Sequence, residues 1–332
     1  MKKITALLAL LMLGGALAGC EKQNDTNKTD KLSIVTTIFP EYDWVRAVLG
    51  DKADNAEVTM LLDNGVDLHS YQPTADDIVK ISDCDLFLYV GGESDGWVDD
   101  ALKNATNKNM KVINLLDVLG DSVKTEEVVE GMQETEHDHD HDHSKEVSTF
   151  EDEEEKDEHV WLSLKNAEVL VNAISKSLQE LDPDNKDTYA ANAAAYIEKL
   201  SALDGEYQAA VDAATYKTVV FGDRFPFRYL VDDYGLRYYA AFVGCSAETE
   251  ASFETVSFLA KKVDELKLPC VLTIEGAQHK IAETIVQNTA EKNQKVLTMD
   301  SLQSTSSKDV ANGTTYLSVM EKNLSVLKEA LG

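Results

Sequence analysis

The sequence predicts an α/β fold: two Rossmann-like lobes with parallel sheets, joined by a long rigid helix. Short β-branched runs alternate with helical stretches in the first part of the chain, and the alternation returns in the last part. Between the two series lies one unbroken helical pattern rich in Ala, Leu, Glu and Lys, over residues 186–214. At about 1.5 Å per residue it spans about 40 Å, a length suited to a strut between two lobes.

In the first series, residues 32–39 form a β-branched run that stops at Pro40 and reads as a buried strand. Residues 41–49 place Trp44, Val45, Val48 and Leu49 at helical spacing. A strand over 58–62, a short helix over 75–81 and a strand over 85–90 follow, the last ending at Gly91-Gly92. A helix over 97–104 and a strand over 111–115 complete the series. Residues 121–158 break the pattern: they are polar, acidic and nearly without apolar periodicity, and read as a disordered insertion. Helix 166–181 stops near Asp182-Pro183 and precedes the strut. The second series has strands over 217–221, 236–242, 270–274 and 295–299. Its helices fall over 227–234, 252–266, 281–291 and 315–331. The expected limits are 32–185 for the first lobe, 186–214 for the linking helix and 215–332 for the second lobe.

The N-terminus reads as a secretory signal peptide over 1–19, with Lys2 and Lys3 before an apolar run that is too short to span a membrane. Leu17-Ala18-Gly19-Cys20 resembles the bacterial lipobox, which implies cleavage before a lipidated Cys20 and a polar tether over 20–31. The expected location is the outer face of the cytoplasmic membrane, with the chain lipid-anchored and extracytoplasmic.

Net charge is −29, from 60 acidic and 31 basic residues, which argues against nucleic acid as a partner and for cations near the surface. Past Cys20 three cysteines remain. In an oxidising compartment one pair can close, and Cys245 with Cys270 is the expected disulfide because both fall in the second half of the chain. Cys84, among Ile81, Leu86 and Leu88, reads as a buried small hydrophobe.

Four of the seven histidines lie in one acidic run, as His137, His139, His141 and His143 alternating with aspartates. Neutral imidazole is the commonest protein metal ligand, so the run is an accessory metal-binding candidate. It cannot by itself impose a fixed coordination geometry. Ligands in open α/β sheets gather at the carboxyl ends of strands, and the cleft between two lobes brings two sets of such ends together. His69 follows the strand over 58–62, His159 stands where order resumes after the insertion, and Asp300 follows the strand over 295–299.

The sequence resembles the solute-binding lipoproteins of zinc- and manganese-type ABC importers over nearly the whole chain after the tether. The resemblance rests on Thr36-Thr37-Ile38-Phe39-Pro40, His69-Ser70-Tyr71-Gln72-Pro73, the strand ending in Gly91-Gly92, and His159-Val160-Trp161-Leu162-Ser163 followed by Asn166-Ala167. It implies His69 and His159 as ligands from the first lobe and Asp300 as an acidic ligand from the second, with the metal in the interlobe cleft. One departure stands out. Where the family usually has His or Glu after the first strand of the second lobe, this chain reads Gly222-Asp223-Arg224, and a guanidinium cannot ligate a cation. Asp223 is the nearest substitute ligand; the other reading has it pair with Arg224 or cap the next helix. Glu275 and His279 are reserves.

The expected function is that of an extracytoplasmic receptor that captures Zn²⁺ and delivers it to an ABC permease in the cytoplasmic membrane, acting as a monomer and not as an enzyme. A manganese receptor of the same family is an alternative, since Mn²⁺ tolerates the same donors. A secreted zinc-dependent hydrolase is another, with Glu158 beside His159 as its base, although no His-Glu-x-x-His, Gly-x-Ser-x-Gly or P-loop is present. A surface adhesin or metal buffer using only the histidine run is a third.

Overall fold

The computed structural model describes residues 31–133, 155–246, 248–276 and 279–332. The expected signal peptide, Cys20 and the run from His137 to His143 lie outside the described residues. The first sheet is built from β1 (Leu32–Thr36), β2 (Ala56–Met60), β3 (Leu86–Tyr89) and β4 (Lys111–Asn114), in the order β2-β1-β3-β4. The helices α1 (Phe39–Leu49), α2 (Ala75–Asp83), α3 (Val98–Lys103) and α4 (Leu115–Leu119) connect or follow these strands. Then come α5 (Leu164–Leu181) and α6 (Lys186–Ala213). The second sheet repeats the topology with β5 (Thr218–Phe225), β6 (Arg237–Val243), β7 (Cys270–Ile274) and β8 (Lys295–Met299), in the order β6-β5-β7-β8. Its helices are α7 (Arg228–Tyr234), α8 (Phe253–Leu266), α9 (Lys280–Asn288), α10 (Ser307–Ala311) and α11 (Tyr316–Leu331). All the strand pairs are parallel. Strands in such sheets are covered on both faces and so read as continuous apolar runs, and all five residues of β7 are buried.

Helix α6 has 28 residues, about 42 Å at 1.5 Å per residue, and buries Tyr189, Ala193, Tyr196, Leu200, Leu203, Tyr207 and Val211 along one stripe. That stripe ties both lobes: the Tyr207 hydroxyl donates to the Met320 carbonyl at 2.6 Å, and the Tyr196 hydroxyl to Asp43 Oδ2 at 3.2 Å. One apolar cluster runs from Ile34 through Trp44, Trp161 and Tyr207 to Leu331 and so joins the two sheets. A second cluster, with Val220, Leu259 and Ile285, fills the space under α8 and α9. No helix among the described residues is long and apolar enough to cross a membrane.

Several expectations change. Pro40 does not end a strand; β1 stops at Thr36, and Pro40 lies in the first turn of α1, where its missing N–H costs no hydrogen bond. Glu41 completes that start, its Oε2 accepting from Thr37 N at 2.8 Å, Thr37 Oγ1 at 3.1 Å and Ile38 N at 3.3 Å. Strand β5 continues past Phe221 to Phe225 through an irregularity in its pairing with β6 between Phe221 and Arg224. The flanks of the expected disordered insertion are structured. Thr125 bridges Lys156 in antiparallel fashion, Asp157 N donates to the Lys124 carbonyl at 2.9 Å, and Gln133 N donates to the Ala241 carbonyl of β6 at 2.9 Å. Helix α10, too short to carry a periodic signal, was not expected.

The expected Cys245–Cys270 disulfide is absent: both are free thiols, as is Cys84. The sheet explains why. Phe221 of β5 pairs with Ala240 of β6 on one side and with Leu272 of β7 on the other, so Cys270 lies two residues before that level and Cys245 five beyond it. At about 3.3 Å per residue they are about 20 Å apart along the strands, far past the roughly 7 Å that a disulfide can bridge. Cys84 is buried as expected.

Candidate metal centre

Strand β2 is an edge strand, and the chain leaving it turns at Leu68–Ser70 in a single 3-10 turn. Asp67 caps the turn, its Oδ1 accepting from His69 N at 3.0 Å. The His69 ring is then fixed from two sides: Nδ1 lies 2.8 Å from Ser94 Oγ, in the loop after β3, and 3.6 Å from Glu158 Oε2. His159 opens another single turn, Val160–Leu162, and is fully buried. Asp157 Oδ1 accepts from both His159 N and His159 Nδ1 at 2.9 Å. A carboxylate only accepts, so the ring proton sits on Nδ1 and the Nε2 lone pair of His159 faces the site.

The two rings meet across lobe-forming segments 90 residues apart, with Nε2 to Nε2 at 3.3 Å and ring centroids 5.2 Å apart. Cys245, just past the edge strand β6 of the second sheet, completes the cluster. Its Sγ and one ring nitrogen from each histidine all lie within 4.8 Å of one another. Glu126 Oε1 holds the Cys245 backbone N at 2.9 Å. Close approach here depends on Gly244, where a Cβ would lie 2.9 Å from His159 Cε1 and 3.0 Å from the Phe225 carbonyl oxygen. At Gly92, φ is +82°, and a Cβ would strike the Glu158 carboxylate that backs His69.

Burial sets the electrostatics. Desolvation, then the electrostatic influence of the adjoining His159, pushes His69 down to about 3, so the ring is neutral and available as a ligand. Burial also raises the Glu158 carboxyl above its ordinary value. Behind it, burial pushes Asp95 up to about 7, with Glu158 adding to the rise, and burial followed by the Asp95 charge pushes Glu41 up to about 8. Glu41 Oε1, Asp95 Oδ1 and Glu158 Oε2 are buried without a hydrogen-bond partner. Burial, then Glu126, drives the Cys245 thiol well above its usual value.

The structure brings His69 and His159 together and places Asp223 and Asp300 in other roles. Asp223 Oδ2 accepts from Thr273 Oγ1 at 2.6 Å and Ile274 N at 3.3 Å, and Oδ1 from Arg224 N at 3.0 Å, so it braces β5 against β7. Asp300 lines a separate cavity of about 250 Å³ with Glu275, Ser304, Asp309 and Lys322. Its Oδ1 accepts from Leu302 N at 2.8 Å, and burial with the nearby Glu275 charge raises it to about 6. Glu275 accepts from Ser301 N and Ser301 Oγ, both at 2.6 Å, and His279 Nδ1 lies 3.2 Å from Thr273 Oγ1; neither joins the cluster. Arg224 pairs with Asp67 and lies 3.2 Å from Gln303 Oε1. Ser94, Asp157 and Cys245 escaped the sequence reading. Only Asp157 left a local signal, an Asp two residues before His159.

Two parallel α/β lobes on one strut thus bring two imidazoles and a thiol together. A family model described as zinc-uptake complex component A, periplasmic (ZnuA), matches residues 34–330, and the chain belongs to that family. It is 36% identical over 329 residues, 99% of the chain, to the zinc-binding lipoprotein AdcA of Streptococcus pneumoniae, and spans 61% of that protein's length. It is 31% identical over 334 residues to the high-affinity zinc uptake system protein ZnuA of Bacillus subtilis, covering 99% of this chain and 98% of that one. Among solved structures, the Zn(II)-bound ZnuA-like domain of S. pneumoniae AdcA matches with a TM-score of 0.68 and 33% identity, covering 91% of this chain and 99% of that one. The metal-dependent lipoprotein YcdH of B. subtilis matches with a TM-score of 0.70 and 28% identity, covering 91% and 99%. Nothing in these comparisons supports the hydrolase alternative.

Proposed function

We propose that this protein is the extracytoplasmic receptor of an ABC importer, that it captures Zn²⁺ between its lobes through His69 and His159, and that it delivers the ion to a membrane permease. It acts as a binding protein and catalyses no reaction. Lipid attached to Cys20 holds it at the outer face of the membrane. The observation that carries this reading is the 3.3 Å gap between two imidazole Nε2 atoms. A tetrahedral Zn²⁺ with metal–nitrogen bonds of about 2.0–2.1 Å sets its nitrogen donors about 3.3–3.4 Å apart. The gap is therefore already the edge of a zinc tetrahedron.

The second contacts supply the rest. Asp157 keeps the His159 proton on Nδ1, and Ser94 Oγ with Glu158 can receive the His69 proton on Nδ1. A proton that bridges the two Nε2 atoms can thus leave the gap as the cation enters. Ionisation of Glu158 beside His69 lowers the potential around the cation as it enters. His137, His139, His141 and His143 then serve as an accessory collector of zinc.

Competition titration with a zinc chelator tests the reading. The expected result is tight 1:1 binding that persists when the four histidines of the run are changed to Ser and is lost in His69→Ala/His159→Ala. Unchanged affinity in that double variant would refute it.

A further inference from the structure

We propose that Cys245 is the second lobe's ligand to the captured ion, so that the centre is a two-imidazole, one-thiolate site. This rests on the reading that His69 and His159 hold the metal. No other cysteine, histidine or carboxylate group among the described residues forms such a cluster. The residue at the position where the family usually supplies a second-lobe His or Glu is Arg224, which is committed to Asp67. Asp223 beside it is held by Thr273 and Ile274. Among the described residues, the second-lobe donor that lies within reach of the histidine pair is the Cys245 sulfur.

The geometry fits. With metal–sulfur bonds of about 2.3 Å, a tetrahedral zinc places sulfur about 3.6 Å from each nitrogen donor. The present separations, all within 4.8 Å, bring the thiol to that position with a movement of about 1 Å. Gly244 permits the approach, and Glu126 anchors the Cys245 backbone. Cys245 is also the one free cysteine of the described three that is not buried. On binding, the S–H bond breaks heterolytically: the sulfur keeps the electron pair and donates it to the metal, and the proton passes to solvent. A thiolate donor favours Zn²⁺ over the harder Mn²⁺, so this residue also sets metal preference. A ligand on each lobe makes the ion itself a bond between lobes.

Cobalt(II) titration of the full chain is the test, because a cobalt–thiolate bond gives a near-ultraviolet charge-transfer band that imidazole does not. The wild type is expected to show the band and Cys245→Ser to lack it, with zinc affinity lowered about tenfold or more, since even indirect contacts cost that much. Cys245→His is expected to restore tight zinc binding without the band, which separates ligation from folding. Zinc is also expected to protect Cys245 from iodoacetamide, read by mass spectrometry. Cobalt bound by the wild type without the band, or a band that survives in Cys245→Ser, would overturn the proposal and leave the histidine site standing. Failure of the wild type to bind either cobalt or zinc would overturn the functional reading, and the proposal with it.

Discussion

Arg224 of the second lobe grips Asp67, the residue whose other carboxylate oxygen caps the turn carrying His69. The side chain that occupies a usual ligand position therefore acts on the metal centre at one remove, by holding the first-lobe turn in place. Burial opposes the charge on Asp67, but Arg224 outweighs it and the carboxyl lies below its ordinary value. Arg224→Ala should cost about 1–3 kcal/mol by urea denaturation at neutral pH, because it leaves a half-buried carboxylate unpaired. A depressed carboxyl contributes stability that is present above its unfolded value of 3.8 and lost as pH falls through the lower folded value. The difference between wild type and variant should accordingly shrink below pH 4.

Asp157 is expected to matter to zinc more than to the fold. Asp157→Ala frees the Nδ1 proton of His159, so the ring can present N–H to the site instead of a lone pair. Zinc affinity should fall about 10–100-fold in chelator competition, with far-ultraviolet circular dichroism unchanged. An affinity equal to wild type would mean that the tautomer is fixed by something else.

Gly244→Ala tests the closeness of the lobes. The added methyl meets His159 and the Phe225 carbonyl at about 3 Å. Displacing them should cost about 1–3 kcal/mol in thermal unfolding and weaken zinc binding together. Gly205→Ala, where a Cβ meets nothing within 4 Å, is the matched control and should do neither.

Glu41 gives a pH signature remote from the metal. Its carboxyl is raised to about 8, against 4.5 in the unfolded chain. The native state holds this proton longer, so the contribution is fully present below about pH 4.5 and is lost as pH rises toward about 8. Unfolding free energy measured across that window should fall by about 4 kcal/mol, and Glu41→Gln should flatten the decline. An equal slope in the variant would assign the effect elsewhere, with Asp95, raised to about 7, as the next group to change.

Most of the architecture was legible because parallel strands announce themselves. β7 is buried on both faces and is apolar but for Thr273, whereas the stripe on α6 repeats at helical spacing. Pro40 misled because the same residue that ends a strand also opens a helix, and only Glu41, reaching back to Thr37 and Ile38, decides between them. The disulfide was refutable in advance. Cys245 follows a strand and Cys270 begins one, and in a parallel sheet those are opposite edges. His69 was readable as a histidine following a strand, and His159 as one standing where order resumes after the insertion. What brings Cys245 to them is that the segments leaving two edge strands, β2 and β6, of different sheets come together at the cluster. No local pattern encodes that meeting, so the cysteine could be seen only as a cysteine.

The apolar cluster shared by the two sheets has a mechanical consequence. Trp161, Tyr207 and Tyr316 are wholly buried, α11 packs against α6, α1 and the second sheet, and the Tyr316 hydroxyl donates to the Trp161 carbonyl at 2.6 Å. Prising the sheets apart would wet such side chains at about 1.5–3 kcal/mol for each large one, which quickly exceeds the roughly 1–3 kcal/mol that a bound ligand usually contributes to a conformational equilibrium. The molecule is therefore a stiff frame with compliant lips. On the receptor role proposed above, a permease that distinguishes the loaded form from the empty one must feel the rim, at the turns bearing His69, Ser94 and Cys245, and not a change in the angle of the frame.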